Sequence, residues 1–206
     1  MTTINKVKKV IKKEFKGENS GHDYKHLSRV YKYALKIQKR EGGDRYVIGV
    51  SALVHDVHRI ISNRENRFVT PKESLKEVEE ILIKSNVENN KISSILRVVE
   101  FHDDKGSGKE FDLETKIIQD ADVLDAVGKR GLKRTLTYCK SKGIPVVNKE
   151  YPLDCKEYIP DVNPISTCHY IYRTMIPNGK GVHTSSARKM ISSKIKVLEK
   201  FVSKRC

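Results

Sequence analysis

The chain has 206 residues, 37% hydrophobic and 33% charged, which suits one soluble domain with a sizeable buried core. No apolar run approaches the ~20 residues of a membrane span. The Lys-rich start, Met1 to Phe15, lacks the apolar core of a secretory signal, so a cytoplasmic location is expected. The formal net charge of +15 favours anionic partners, but the lysines are scattered along the chain rather than massed in one arm, so nucleic acid is the less favoured partner.

In chain order, Ile4, Val7, Val10, Ile11 and Phe15 recur at helical spacing and Gly17 ends that segment. A second helix is predicted from about His22 to Arg40, with Val30, Tyr33, Ala34 and Ile37 on one side and Gly42-Gly43 as its stop. Asp44 can cap a third, carrying Val47, Ile48, Ala52, Leu53 and His55-Asp56, and the Asn- and Arg-rich stretch 62–69 reads as a loop. Thr70-Pro71-Lys72-Glu73 has the pattern of a capping box and opens a helix through Leu75, Val78, Ile81 and Leu82. Another helix covers about Asn89 to His102, followed by a flexible loop from Asp103 to Lys109.

A buried helix around Asp122 is ended or kinked by Gly128 and Gly131. Gly143, Pro145, Pro152, Pro160 and Pro164 then punctuate an irregular connection over about 140–164, with the features of a lid or a functional loop. Ile165 to Met175 and Thr184 to Phe201 complete an all-α reading of a single domain over 1–206. Cys139, Cys155, Cys168 and Cys206 form no C-x-x-C pair, so four free thiols are expected and a zinc ribbon is not.

His55-Asp56 lies inside Val50-Ser51-Ala52-Leu53-Val54-His55-Asp56-Val57. An imidazole and a carboxylate in such a setting must pair with something or bind a metal. His22 and His26, at i and i+4, share a helix face, and His26, in the regular part of the helix, is the better candidate ligand. Asp122, flanked by Ile117, Ile118, Ala121, Leu124 and Ala126, points inward, with Asp120 and Asp125 as competitors. Two imidazoles and two carboxylates form a mixed set suited to Mn, Fe, Co, Ni or Mg. The alternatives are a His-Asp pair that satisfies itself and histidines that merely cap or fill the core. No G-x-S-x-G, P-loop or C-x-x-C supplies a protein nucleophile or phosphate loop.

The order His26, His55-Asp56, Asp122 resembles the HD superfamily of metal-dependent phosphohydrolases, and within it the bacterial YpgQ/YedJ-like subgroup. The matching stretches are Gly21 to Val30, Ala52 to Val57, Phe101-His102 and Gln119 to Gly128, with a fainter match through His169 to Arg173 and the last helix. The resemblance implies an all-α, HD-domain helical bundle. It implies one divalent metal ion, Mn favoured, on His26, His55, Asp56 and Asp122, and hydrolysis of nucleoside or deoxynucleoside triphosphates to monophosphate and pyrophosphate by a metal-activated water.

A phosphomonoesterase or a cyclic-nucleotide phosphodiesterase would share that site, and a basic nucleic-acid-binding module is the non-enzymatic alternative. His58, Arg59 and His102 are candidate catalytic or phosphate-contacting residues, and Arg29 and Asp125 candidates for substrate binding. Lys129, Arg130, Arg173 and Lys194 are weaker candidates. The chain departs from the subgroup at Val123, usually basic, at Val57-His58-Arg59, and at Asp103, usually Ser. All of these positions border the substrate rather than the metal.

Overall fold

Thr3–Glu14 forms α1, with Val7 and Ile11 buried one turn apart as the spacing requires. It opens a computed structural model that describes residues 2–18, 21–105, 108–160 and 162–206. Among these residues no strand forms beyond an isolated bridge between Ile159 and Asn163. None of the described helices is long and apolar enough to cross a membrane. The chain packs as two compact units, 1–122 and 123–206. Their boundary falls inside a helix, so no Gly- or Pro-rich linker marks it in the sequence.

In the first unit, α2 (Tyr24–Glu41), α3 (Arg45–Val54), α4 (Val57–Glu65), α5 (Leu75–Lys84) and α6 (Asn89–Phe101) follow α1. The next helix, α7 (Leu113–Ala126), enters the second unit. The centre is α3, buried from Val47 to Val54 and packed against α1, α2 and α6. It carries no charged side chain after Arg45, as a helix covered on every side must. Asp44 caps it, accepting from Tyr46 N at 2.8 Å and Val47 N at 3.1 Å. Leu27, Val30, Ala34 and Ile37 make the buried stripe of α2. The capping box forms as expected, Thr70 N donating to Glu73 Oε2 at 2.8 Å and Glu73 N to Thr70 Oγ1 at 3.2 Å.

Two local expectations are corrected. The third helix does not run through His55-Asp56: α3 ends at Val54, Asp56 departs to φ −93°, ψ 14°, and α4 restarts at Val57. Nor is 62–69 all loop. The helix continues to Glu65 and stops where Asn66 turns left-handed at φ 50°. There Arg64 forms a two-pronged bond to Glu77 at 2.8 and 3.2 Å, which composition does not reveal.

In the second unit, α8 (Gly128–Ser141) starts at a glycine with φ +84°. α9 (Thr167–Tyr170), a π-helical turn (Ile171–Met175) and α10 (Ile176–Lys180) run on without a break, and α11 (Ser185–Arg205) is capped by Thr184. The irregular connection is anchored: Thr167 N donates to Pro145 O at 2.8 Å, Cys168 N to Val146 O at 3.0 Å and Arg173 Nη1 to Cys155 O at 2.8 Å. The expectation of four free thiols is corrected as well. Cys168 and Cys206, 38 residues apart, form a disulfide with their Cα atoms 5.9 Å apart, while Cys139 and Cys155 stay free and buried. Only the fold brings the pair within bridging range.

Candidate metal centre

Asp56, 3% exposed, is the hub of the site. Its Oδ2 lies 2.8 Å from His22 Nδ1, 3.2 Å from His26 Nε2 and 3.4 Å from His55 Nε2, and its Oδ1 lies 3.8 Å from His102 Nε2. Burial works to raise the pKa of this carboxyl, but His55, His22 and His26 outweigh it and hold the group well below the usual carboxylate range. The break between α3 and α4 is what lets His55 and Asp56 converge. On an unbroken helix neighbouring side chains diverge by about 100°.

The imidazoles are oriented by their own helices. His55 Nδ1 donates to Ala52 O at 3.1 Å, His58 Nδ1 to His55 O at 3.3 Å and His102 Nδ1 to Val99 O at 2.7 Å. A carbonyl can only accept, so in each ring Nδ1 carries the proton and Nε2 the lone pair. Burial lowers the pKa of all three, His58 to about 4 and His102 to about 3, so they are neutral at pH 7. His55 Nε2 is buried and makes no hydrogen bond. A buried lone pair left in that state is costly, unless an ion takes it.

Asp122 completes the set from α7, its Oδ1 3.4 Å from His26 Nε2. Its pKa is lowered: burial opposes this, and Lys105, His26 and His55 prevail. Three overlapping groups have ligand atoms within 4.8 Å of one another: His22, His26 and Asp56; His26, His55 and Asp122; His55, Asp56 and His102. The residues fit a divalent cation of borderline softness, with imidazole nitrogens and carboxylate oxygens gathered at one centre.

The fold thus gathers His26, His55, Asp56 and Asp122, with His102 beside them and His58 against the His102 ring, centroids 5.4 Å apart. His22, ranked below His26 from sequence, belongs to the cluster. Arg59 is one third exposed, its Nε 4.0 Å from Asp56 Oδ1 and its Nη2 3.6 Å from Asp103 Oδ2. Arg29 is half-buried one turn beyond His26. Asp125 is buried in the second unit and paired with Arg134 at 3.6 Å. Asp120, the other competitor, is buried too.

Sequence reasoning missed Lys105, whose Nζ stands 2.6 Å from Asp122 Oδ2. Gly-Ser-Gly composition gave that stretch the look of a featureless loop. Its one signal was a basic residue three positions after His102.

The family model of the HD domain matches residues 23–127, half of the chain and every candidate ligand position except His22. The chain belongs to the HD domain family. It is 32% identical over 130 residues to the uncharacterized protein YpgQ of Bacillus subtilis (strain 168), a match spanning 61% of each chain and so less than two thirds of that relative's length. An HD-superfamily hydrolase from Bacillus thuringiensis superposes with a TM-score of 0.73 at 26% identity, covering 98% of this chain and 93% of that one. The structure of B. subtilis YpgQ in complex with ADP gives a TM-score of 0.76 at 18% identity, covering 98% and 92%, a likeness of fold. The all-α HD architecture expected from the sequence is the one found.

Proposed function

We propose that the chain is a divalent-metal-dependent phosphohydrolase acting on nucleotides. Nucleoside or deoxynucleoside triphosphates, cleaved to monophosphate and pyrophosphate, are the favoured substrates, Mn the favoured ion and the cytoplasm the expected location. The observation that carries this reading is the gathering of the His26, His55 and His102 imidazoles with the Asp56 and Asp122 carboxylates in overlapping groups, His55 Nε2 being buried without a hydrogen bond. Membership of the HD family supports the reaction class. A relative's fold seen with ADP supports a nucleotide ligand.

His26, His55, Asp56 and Asp122 would hold the ion, with His22 and His102 at its margin. A divalent cation in such a site supplies an acidified water and positive charge for the phosphoryl oxygens. The Nδ1–H bond of His55 to Ala52 O fixes its ring so that Nε2 faces the cluster. His102 Nε2, with its lone pair free of the Val99 bond, is placed to take a proton from an attacking water. The Arg59 guanidinium offers a planar, permanently charged fork to phosphate oxygens at the exposed edge of the site. His58, packed on His102, positions that ring. Arg29 stays as a substrate-side candidate on α2.

The test uses metal-stripped protein reloaded with Mn and offered nucleoside mono-, di- and triphosphates, with a His55→Ala/Asp56→Ala variant as the blank. Monophosphate plus pyrophosphate, absent from the blank, is the expected result. Orthophosphate from monophosphates would move the substrate class to phosphomonoesters. Equal turnover by the blank would overturn the reading.

A further inference from the structure

We infer that Lys105 is a metal-gated phosphate clamp: its ammonium neutralises Asp122 while the centre is free of metal, and is handed to a substrate phosphoryl group once a cation occupies Asp122. The inference rests on the metal-centre reading above and adds a binding residue and an order of binding to it.

The two oxygens of Asp122 face different partners. Oδ1 looks into the imidazole cluster, 3.4 Å from His26 Nε2, whereas Oδ2 is held by Lys105 Nζ at 2.6 Å. The ammonium is also 3.9 Å from Asp103 Oδ1, and Asp103 Oδ2 is 3.6 Å from Arg59 Nη2. Arg59 in turn reaches Asp56 Oδ1 at 4.0 Å, closing a chain of alternating charge from one candidate ligand carboxylate to the other. Arg59 Nε is buried and makes no hydrogen bond, so that fork holds a donor in reserve.

Three carboxylates against two cations leave this chain of groups with one excess negative charge, a poor host for a phosphate. A divalent ion reverses the sign to one excess positive charge. It also weakens the Lys105–Asp122 pair, because it draws on the same carboxylate and repels the ammonium beside it. Lys105 is a compact charge on a flexible stem, 19% exposed, and has three donors to offer an incoming anion. The geometry therefore favours metal first and phosphate second.

The experiment titrates Mn into metal-stripped wild type, Lys105→Met and Lys105→Arg by calorimetry. It then follows the ³¹P relaxation of inorganic phosphate added to each Mn-loaded protein. Lys105→Met removes a competing cation, so Mn should bind about tenfold more tightly while phosphate binds about tenfold more weakly. Lys105→Arg should keep both affinities near wild type. A lysine that merely props Asp122 in place would instead give weaker Mn binding in Lys105→Met, and unchanged phosphate binding would equally overturn the clamp. Circular dichroism of each variant separates these outcomes from misfolding, and Lys105→Gln, with the same expected shifts in both affinities, takes the place of Lys105→Met if that variant does not fold. Wild type that binds no Mn would overturn the metal-centre reading itself, a result distinct from any difference among the variants.

Discussion

Arg59 shows how one side chain can serve the substrate without holding the metal. It is a third exposed, reaches no closer than 4.0 Å to Asp56, and contributes no nitrogen lone pair that could ligate a cation. Arg59→Ala should therefore leave Mn content unchanged while raising KM about 10- to 100-fold, checked by elemental analysis beside steady-state kinetics. The candidate ligands were legible in the sequence because an imidazole or carboxylate on an apolar face has little other reason to be there. His26, beside Leu27 and Val30, and His55-Asp56, after Ala52-Leu53-Val54, both carry that contradiction. Lys105 does not, since a lysine in a Gly-rich stretch is ordinary until tertiary structure lays it against Asp122.

At the scale of elements, the caps and stripes of α1, α2 and α3 could be read directly, because they depend on residues within a turn or two. The break at His55-Asp56 could not. Helical periodicity continues across it, and the departure of the Asp56 backbone accompanies convergence on groups from α2 and α6. Asp44 ties local and distant structure together, capping α3 and accepting from Lys91 Nζ at 2.7 Å. Asp44→Ala should cost about 1–2 kcal/mol in urea unfolding at pH 7. The Lys91 bond, then the backbone donors Val47 and Tyr46, lower the folded pKa of Asp44 against the opposing effect of burial. Its stabilisation is therefore present above the unfolded value near 4 and is lost as pH falls through the folded one. The gap between wild type and Asp44→Ala should accordingly narrow in acid. In α8, a Cβ on Gly131 would run into the Ala126 carbonyl oxygen. Gly131→Ala should destabilise by about 1–3 kcal/mol or more, read as a lower urea midpoint.

At the scale of the whole molecule, the all-α class followed from helical periodicity over most of the chain, whereas the two-unit packing and the disulfide did not. Both depend on contacts distant in sequence. The Cys168–Cys206 bridge spans 38 residues, and closing a loop of that length in the unfolded chain stabilises the native state by about 4 kcal/mol in the chain-entropy model. Cys206→Ser, or reduction of the wild type, should lower stability by up to that amount in denaturant titrations. Equal midpoints with and without reductant would show that the bridge does not form in solution.

The most direct test of the metal centre is the stoichiometry of Mn bound to metal-stripped protein, compared among wild type, Asp56→Ala and Asp122→Ala. One ion per chain in wild type and none retained by either variant, with helical content preserved in all three, is the expected result. Retention of the ion by both variants would contradict the claim that these carboxylates build the centre.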